Sequence, residues 1–92
     1  MSEDLIRRRV VVRGRVQGVF FRDSTRDQAE SHGVAGWVAN RSDGAVEAVL
    51  EGPRAAVEQV LDFLESGPSR ASVENLAVQD EDPEGLTGFK VR

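Results

Sequence analysis

The stretch Gly14–Arg22, read as Gly-Arg-Val-Gln-Gly-Val-Phe-Phe-Arg, constrains this chain more than any other part of its sequence. A β-branched run before it predicts a strand over Arg8–Arg13, and the polar segment after it predicts a helix that ends near Gly33. Gly14 and Gly18 can adopt positive φ angles, which lets successive N–H groups turn toward one point. A strand, a glycine-bounded loop and a helix start in this order favour an anion-binding site.

Arg22 lies in the first turn of this helix, where a cation opposes the helix dipole. An anion in the loop gives a reason for it, because a guanidinium can bind two phosphate oxygens at once. The alternative is a surface arginine that pairs with Asp23 or Asp27. The loop lacks the Gly-Lys-Ser/Thr ending of a Walker A motif, which argues against a nucleoside triphosphatase.

Two β-rich runs, Val34–Ala39 and Ala45–Glu51, are joined by Asn40–Gly44 and predict an antiparallel hairpin. In the second run the alternation predicts one dry face and one wet face. The dry face carries Val46, Ala48 and Leu50, and the wet face carries Glu47, Val49 and Glu51.

Further elements complete the pattern. The spacing of Val57, Val60, Leu61 and Leu64 predicts a second helix, which Gly67-Pro68 ends. A strand is expected over Ser72–Gln79, with Leu76 and Val78 as core residues, and a short last strand over Gly88–Arg92. The order β-α-β-β-α-β predicts an α+β fold of the ferredoxin-like, split β-α-β class. Its sheet is antiparallel and carries two helices on one face.

Gly14–Arg22 resembles the first signature of the acylphosphatase family, and Gly36–Val46 resembles the second. The resemblance runs from about Val10 to Arg92, and it implies the same ferredoxin-like fold. It also implies hydrolysis of the carboxyl–phosphate bond of an acyl phosphate, with no metal and no cofactor. Arg41 departs from the small hydroxyl residue that often follows the asparagine in this family.

The resemblance assigns the site residues. Arg22 is expected to bind the phosphoryl oxygens, and Asn40 to hold the attacking water, although an asparagine here is also ordinary turn chemistry. The backbone amides of the loop are expected to complete a phosphate cradle, which comprises Arg15, Val16, Gln17, Gly18, Val19 and Phe20. Gln17 and Val16 are assigned shaping roles. If the hydroxyl group of the family helps to orient Asn40, its replacement by Arg41 alters the geometry around Asn40. Alternatively, Arg41 adds a second positive charge near the substrate.

Composition bounds the remaining possibilities. Ninety-two residues predict one domain over 1–92, with a flexible tail over 1–6. The chain has no cysteine and no apolar run near the roughly 20 residues of a membrane span, and its start has no signal-peptide pattern. We therefore expect a cytoplasmic protein that binds no membrane. The resemblance implies a small-molecule acyl phosphate as its substrate, and we expect a monomer. The three consecutive arginines Arg7–Arg9 are interpreted as solubilising an exposed strand edge.

Other candidate residues have simpler interpretations. His32 is expected to be a partly buried structural residue or a helix-terminus cation rather than a general base. The acidic run 80–84 does not match a calcium loop and is interpreted as solvated. Phe20, Phe21 and Trp37 are interpreted as core and helix-packing residues.

Two other functions fit parts of the sequence. One is an anion-binding or regulatory module, as in acylphosphatase-like domains of larger maturation proteins. The other is an RNA-recognition domain, which needs aromatic residues on the exposed faces of strands one and three. This chain has Arg9, Val11, Arg13, Glu47, Val49 and Glu51 there. Residues 1–26 carry a balance of +4 and residues 27–92 a balance of −8, so a long nucleic acid would meet an acidic surface. We expect no nucleic-acid partner.

Overall fold

A computed structural model describes residues 4–92, which form five strands and two helices. The strands are β1 (Leu5–Arg15), β2 (Ala35–Asn40), β3 (Val46–Pro53), β4 (Ser72–Glu81) and β5 (Phe89–Val91), and the helices are α1 (Phe21–His32) and α2 (Arg54–Ser66). Among these residues, neither helix has the length and apolar character that crossing a bilayer requires.

The strands form one sheet in the order β4-β1-β3-β2-β5. β1 pairs antiparallel with both β3 and β4, and β2 pairs antiparallel with β3. β5 pairs parallel with β2 and adds a mixed edge to the sheet. The predicted ferredoxin-like α+β fold is confirmed, and the expected short last strand is present as β5. The sheet was predicted to be antiparallel, whereas β5 pairs parallel with β2.

The core lies between the sheet and the two helices. Val10 and Val12 of β1 are fully buried there, as the alternation predicts. The predicted stripe of α2 is buried as well, and so is the predicted dry face of β3. Gly33 ends α1 with a φ of 70° and donates its N–H to α1 carbonyls, which confirms it as the C-cap.

The predicted wet face of β3 is wrong at two positions. Val49 is fully buried, and Glu51 is only 6% exposed. Val49 pairs in register with Arg9 of β1 on one side and with Trp37 of β2 on the other, so large side chains flank it. Glu51 accepts hydrogen bonds from three N–H groups of the loop between β4 and β5, those of Glu84, Gly85 and Leu86.

The interpretation of Arg7–Arg9 as an exposed edge is also wrong, because β1 lies between β4 and β3. Arg7 is 6% exposed, and it pairs with the carboxylates of Glu51 and Glu81. The hydrogen bond that Arg7 donates to Glu81 raises the pKa of Arg7 despite the opposing effect of burial. Arg9 pairs with Glu47 and Glu81, so charges of alternating sign cover the sheet face opposite the helices.

The structure differs from the prediction in two further places, in β4 and at the start of β1. Val78 is 45% exposed, because β4 is an edge strand with no strand beyond it among the described residues. Leu76 is half-buried against the core. At the start of β1, Leu5 pairs with Pro53 of β3, and Ile6 pairs with Gly52. The predicted tail is therefore wrong for these two residues, and its first three lie outside the described residues.

Candidate active site

An open cavity of about 280 Å³ lies where the loop after β1, the start of α1 and the end of β2 meet. Its lining consists of Val16, Gly18, Phe20, Phe21, Arg22, Asp23 and Asn40. The cavity thus combines a guanidinium, a carboxamide and the backbone of the glycine-bounded loop. Of the predicted cradle residues, Arg15, Gln17 and Val19 are absent from this lining.

The topology of the sheet explains why Arg22 and Asn40 meet in one cavity. β1 and β2 both run antiparallel to the strand between them, β3, so they point in the same direction. Their last residues therefore lie at the same end of the sheet. Asn40 is the last residue of β2, and Arg22 follows the loop that leaves β1.

The loop has the backbone that its glycines predict. Gly14 has a φ of 128° at a shift in the β1–β4 register, and a Cβ there would lie 2.2 Å from the carbonyl oxygen of Ser72. Gly18 has a φ of 73°. Val16 and Val19 anchor the loop in the core, with exposures of 1% and 7%. The chain can therefore turn sharply while two buried side chains fix its position.

Gln17 joins this loop to the β2–β3 hairpin. Its side-chain amide donates hydrogen bonds to the carbonyl oxygens of Arg41, at 2.8 Å, and Ala45, at 2.9 Å. Within the hairpin, the N–H of Arg41 donates to the same Ala45 oxygen. The predicted shaping role of Gln17 thus has a physical form: one side chain connects the loop to the turn beside Asn40.

Arg22 does not pair with Asp23 or Asp27 in the way that the alternative interpretation predicted. Arg22 Nη1 donates a 2.7 Å hydrogen bond to the main-chain oxygen of Arg92. Asp23 and Asp27 contact Arg26 instead, at 3.8 and 3.4 Å. Nothing in the sequence pointed to Arg92, since 70 residues separate it from Arg22.

Arg41 is absent from the cavity lining, and its side chain binds Asp43 in the hairpin turn. Its Nε and Nη2 atoms lie 3.2 and 3.1 Å from the two carboxylate oxygens. The hydrogen bonds from Arg41 are the main cause that lowers the pKa of Asp43 to about 2. The N–H of Ala45 and the guanidinium of Arg13 also lower this pKa, and burial opposes them. The positive charge of Arg41 is therefore compensated within the turn.

The aromatic residues divide into three environments. Phe21 is 2% exposed, which confirms its core position, and its ring packs near Phe63 with centroids 6.5 Å apart. Phe20 is 74% exposed, so its interpretation as a core residue is wrong. Trp37 is half-buried, and the guanidinium of Arg92 stacks on it at 4.4 Å.

Two other candidates play no part in the cavity. His32 ends α1 and its Nδ1 lies 2.9 Å from the carbonyl oxygen of Gln28, in keeping with a structural residue. In the acidic run, Glu81 pairs with arginines, and their hydrogen bonds lower its pKa. The described part of the chain contains no group of three or more side chains suited to hold a metal ion.

Comparisons with known proteins identify the family of this chain. A sequence profile described as Acylphosphatase matches residues 8–91. An acylphosphatase of Haloarcula marismortui is 54% identical over 86 residues, which are 94% of each chain. The solved acylphosphatase of Coxiella burnetii is similar in structure, with a TM-score of 0.92, 39% identity and coverage of 97% of this chain and 94% of that one. That of Bacillus subtilis has a TM-score of 0.91, 35% identity and coverage of 95% and 98%. The chain therefore belongs to the acylphosphatase family of enzymes.

Proposed function

We propose that this enzyme hydrolyses the carboxyl–phosphate bond of an acyl phosphate in the cavity between the loop and the hairpin. The observation that carries the proposal is the presence of Arg22 and Asn40 in one cavity with the backbone of the loop. A guanidinium and several N–H groups are donors that suit a phosphoryl group. A carboxamide beside them can orient a water molecule.

In the proposed reaction, the guanidinium of Arg22 and the loop amides from Arg15 to Phe20 bind the three phosphoryl oxygens. The side-chain amide of Asn40 accepts a hydrogen bond from a water and directs its lone pair toward phosphorus. Phosphoryl transfer of this kind depends mainly on positioning and on charge stabilisation. Fixed donors around the phosphoryl group supply both.

The atoms balance without a strong protein acid or base. The water oxygen forms a bond to phosphorus while the bond from phosphorus to the acyl oxygen breaks, which releases a carboxylate. A carboxylate is a good leaving group, and a phosphoryl oxygen of the substrate takes the proton of the water. The mechanism uses no metal ion, no cofactor and no covalent phosphoenzyme.

The proposal extends to the setting of the enzyme. We infer a cytoplasmic monomer that acts on a small molecule and binds no nucleic acid. The net charge of −4 supports the last point, since an acidic protein repels phosphate backbones. The arginines of β1 support it too, because Arg7 and Arg9 are engaged by carboxylates.

The test is phosphate release from benzoyl phosphate with chelator present, for the wild type, Asn40→Ala and Ser42→Ala. Ser42 is an exposed residue of the same turn and serves as the matched control. Asn40→Ala is expected to lose roughly 10²-fold in kcat while remaining folded by circular dichroism. Ser42→Ala is expected to match the wild type.

Each other result has a meaning. Phosphate binding without turnover in the wild type would identify an anion-binding module rather than an enzyme. Equal kcat in the wild type and Asn40→Ala would remove the proposed role of Asn40. Activity that chelator abolishes would overturn the metal-independent mechanism.

A further inference from the structure

Phe20 combines three properties that no packing role explains. Its side chain is 74% exposed, although it is a large apolar residue. Its backbone has φ 61° and ψ 24°, and it is the one described residue other than glycine with a positive φ. Bulky residues rarely adopt this left-handed conformation. Phe20 is also one of the residues that line the cavity with Arg22 and Asn40.

The conformation of Phe20 follows from its place in the chain. It is the N-cap of α1, and its carbonyl oxygen accepts the hydrogen bond from the N–H of Ser24 that begins the helix. No side-chain oxygen caps this helix. The two neighbours of Phe20, Val19 and Phe21, are both buried, so the left-handed turn places the Phe20 side chain outside the core.

We propose that Phe20 is the residue that contacts the acyl group of the substrate and selects acyl phosphates with an apolar, preferably aromatic, group. The proposal rests on the proposed function. An acyl phosphate bound through its phosphoryl group to Arg22 carries its acyl carbon only one oxygen away from phosphorus. The acyl group must therefore leave the cradle along the cavity wall, and Phe20 is the exposed aromatic residue of that wall.

Exposure alone would not support this inference, because single apolar residues are common on protein surfaces. Here, however, an exposed ring, a left-handed backbone and a phosphoryl-binding cavity coincide at one residue. An aromatic ring at a ligand site contributes buried area and a preferred stacking geometry. A benzoyl group would gain both buried area and stacking against Phe20, whereas an acetyl group has only one methyl group to bury and no ring to stack.

The experiment compares benzoyl phosphate with acetyl phosphate as substrates of the wild type, Phe20→Asn and Phe20→Tyr. Asparagine tolerates the left-handed conformation, so Phe20→Asn removes the ring and keeps the backbone of the cradle. Phe20→Tyr keeps the ring and is the matched control. The quantity measured is the ratio of kcat/KM for benzoyl phosphate to kcat/KM for acetyl phosphate.

The ratio is expected to fall about fivefold to tenfold in Phe20→Asn and to stay within about twofold of the wild type in Phe20→Tyr. A second readout needs no turnover: the ratio of inhibition constants for benzylphosphonate and methylphosphonate should change in the same direction.

An unchanged substrate ratio in Phe20→Asn would overturn the proposal, even if both rates fell equally. A ratio lost in both variants would also overturn it, because the ring would then not be the cause. Failure of the proposed function looks different, since the wild type would then hydrolyse neither substrate.

Discussion

The side-chain amide of Gln17 donates a 2.8 Å hydrogen bond to the main-chain oxygen of Arg41, the residue that follows Asn40. A second hydrogen bond from the same amide reaches the oxygen of Ala45 at 2.9 Å. The loop that would bind the phosphoryl group and the strand end that would hold the water are therefore connected through one side chain. Together with the sheet topology, this connection fixes the position of the loop relative to the strand end.

Removing the connection should impair turnover. Gln17→Ala is expected to lower kcat for an acyl phosphate by roughly 10-fold or more, because small misplacements of reacting groups are costly. Steady-state kinetics measure the effect, and circular dichroism verifies the fold. Gln79→Ala, at an exposed glutamine of β4, is the control and should match the wild type. A folded Gln17→Ala protein with normal kcat would contradict the positioning role.

Arg41→Ala should have little effect on catalysis. The guanidinium binds Asp43 and lies 4.0 Å from Glu47, so its charge is compensated away from the cavity. We expect kcat/KM to change by less than about threefold, as is typical of exposed ion pairs. A tenfold loss of kcat/KM that high salt abolishes would instead indicate a second substrate-binding cation.

Arg22→Lys provides the contrast, with an expected loss of roughly 10²-fold in kcat/KM for the same substrate.

Local patterns in the sequence were sufficient for much of this molecule. The hairpin, both helices and the core faces of β1 and α2 follow from alternation, helical spacing and glycine punctuation. The expectation that Arg22 and Asn40 belong to one site followed from the two family signatures. Each of these features depends on residues that are close in sequence or on a recognised motif.

The features that were not predicted depend on contacts between distant residues. Alternation placed Val49 and Glu51 on a wet face, but Arg7, Trp37 and the loop at 84–86 cover that face. Val78 fits the core pattern, yet its strand is at the edge of the sheet. Phe20 was expected to be buried like its neighbour Phe21, but the left-handed backbone of Phe20 places its side chain outside the core. Strand order and backbone angles determine whether these residues are buried or exposed.

Asp23 adds a negative charge to the lining of the cavity that we propose as the anion site. Asp23→Asn is therefore expected to lower KM for acetyl phosphate by about twofold to threefold at low salt, since unit charges a few ångströms apart in water interact by about 1 kcal/mol. The gain should shrink near 0.5 M salt because the screening length shortens. Asp27→Asn is the matched control, since Asp27 also pairs with Arg26 but is absent from the lining. An identical KM for Asp23→Asn and the wild type at low salt would count against this electrostatic effect.

Glu51 offers a test of stability that leaves the cavity intact. Its carboxylate is buried, accepts three backbone N–H groups and lies 3.4 Å from Arg7 Nη1. Burial by itself raises the pKa of Glu51, but the N–H groups of the loop and Arg7 together lower it below its ordinary value. Glu51→Gln removes the negative charge, and it places a side-chain NH₂ group opposite the N–H and guanidinium donors whose hydrogen bonds the carboxylate now accepts. We expect the free energy of unfolding to fall by about 2–4 kcal/mol at pH 7, while Arg7 keeps its contact with Glu81.

The sign of the pH dependence follows from the lowered pKa. A carboxylate with a lower pKa in the folded protein stabilises it fully above the unfolded value of about 4.3, and that stabilisation is lost as the pH falls through the folded value. The difference in unfolding free energy between the wild type and Glu51→Gln should therefore be largest near pH 7 and shrink below about pH 4. Urea unfolding at several pH values measures it, with Glu58→Gln on the exposed side of α2 as control. A difference that stays constant down to pH 3 would mean that the charge of Glu51 contributes nothing, and that its shape alone holds the loop.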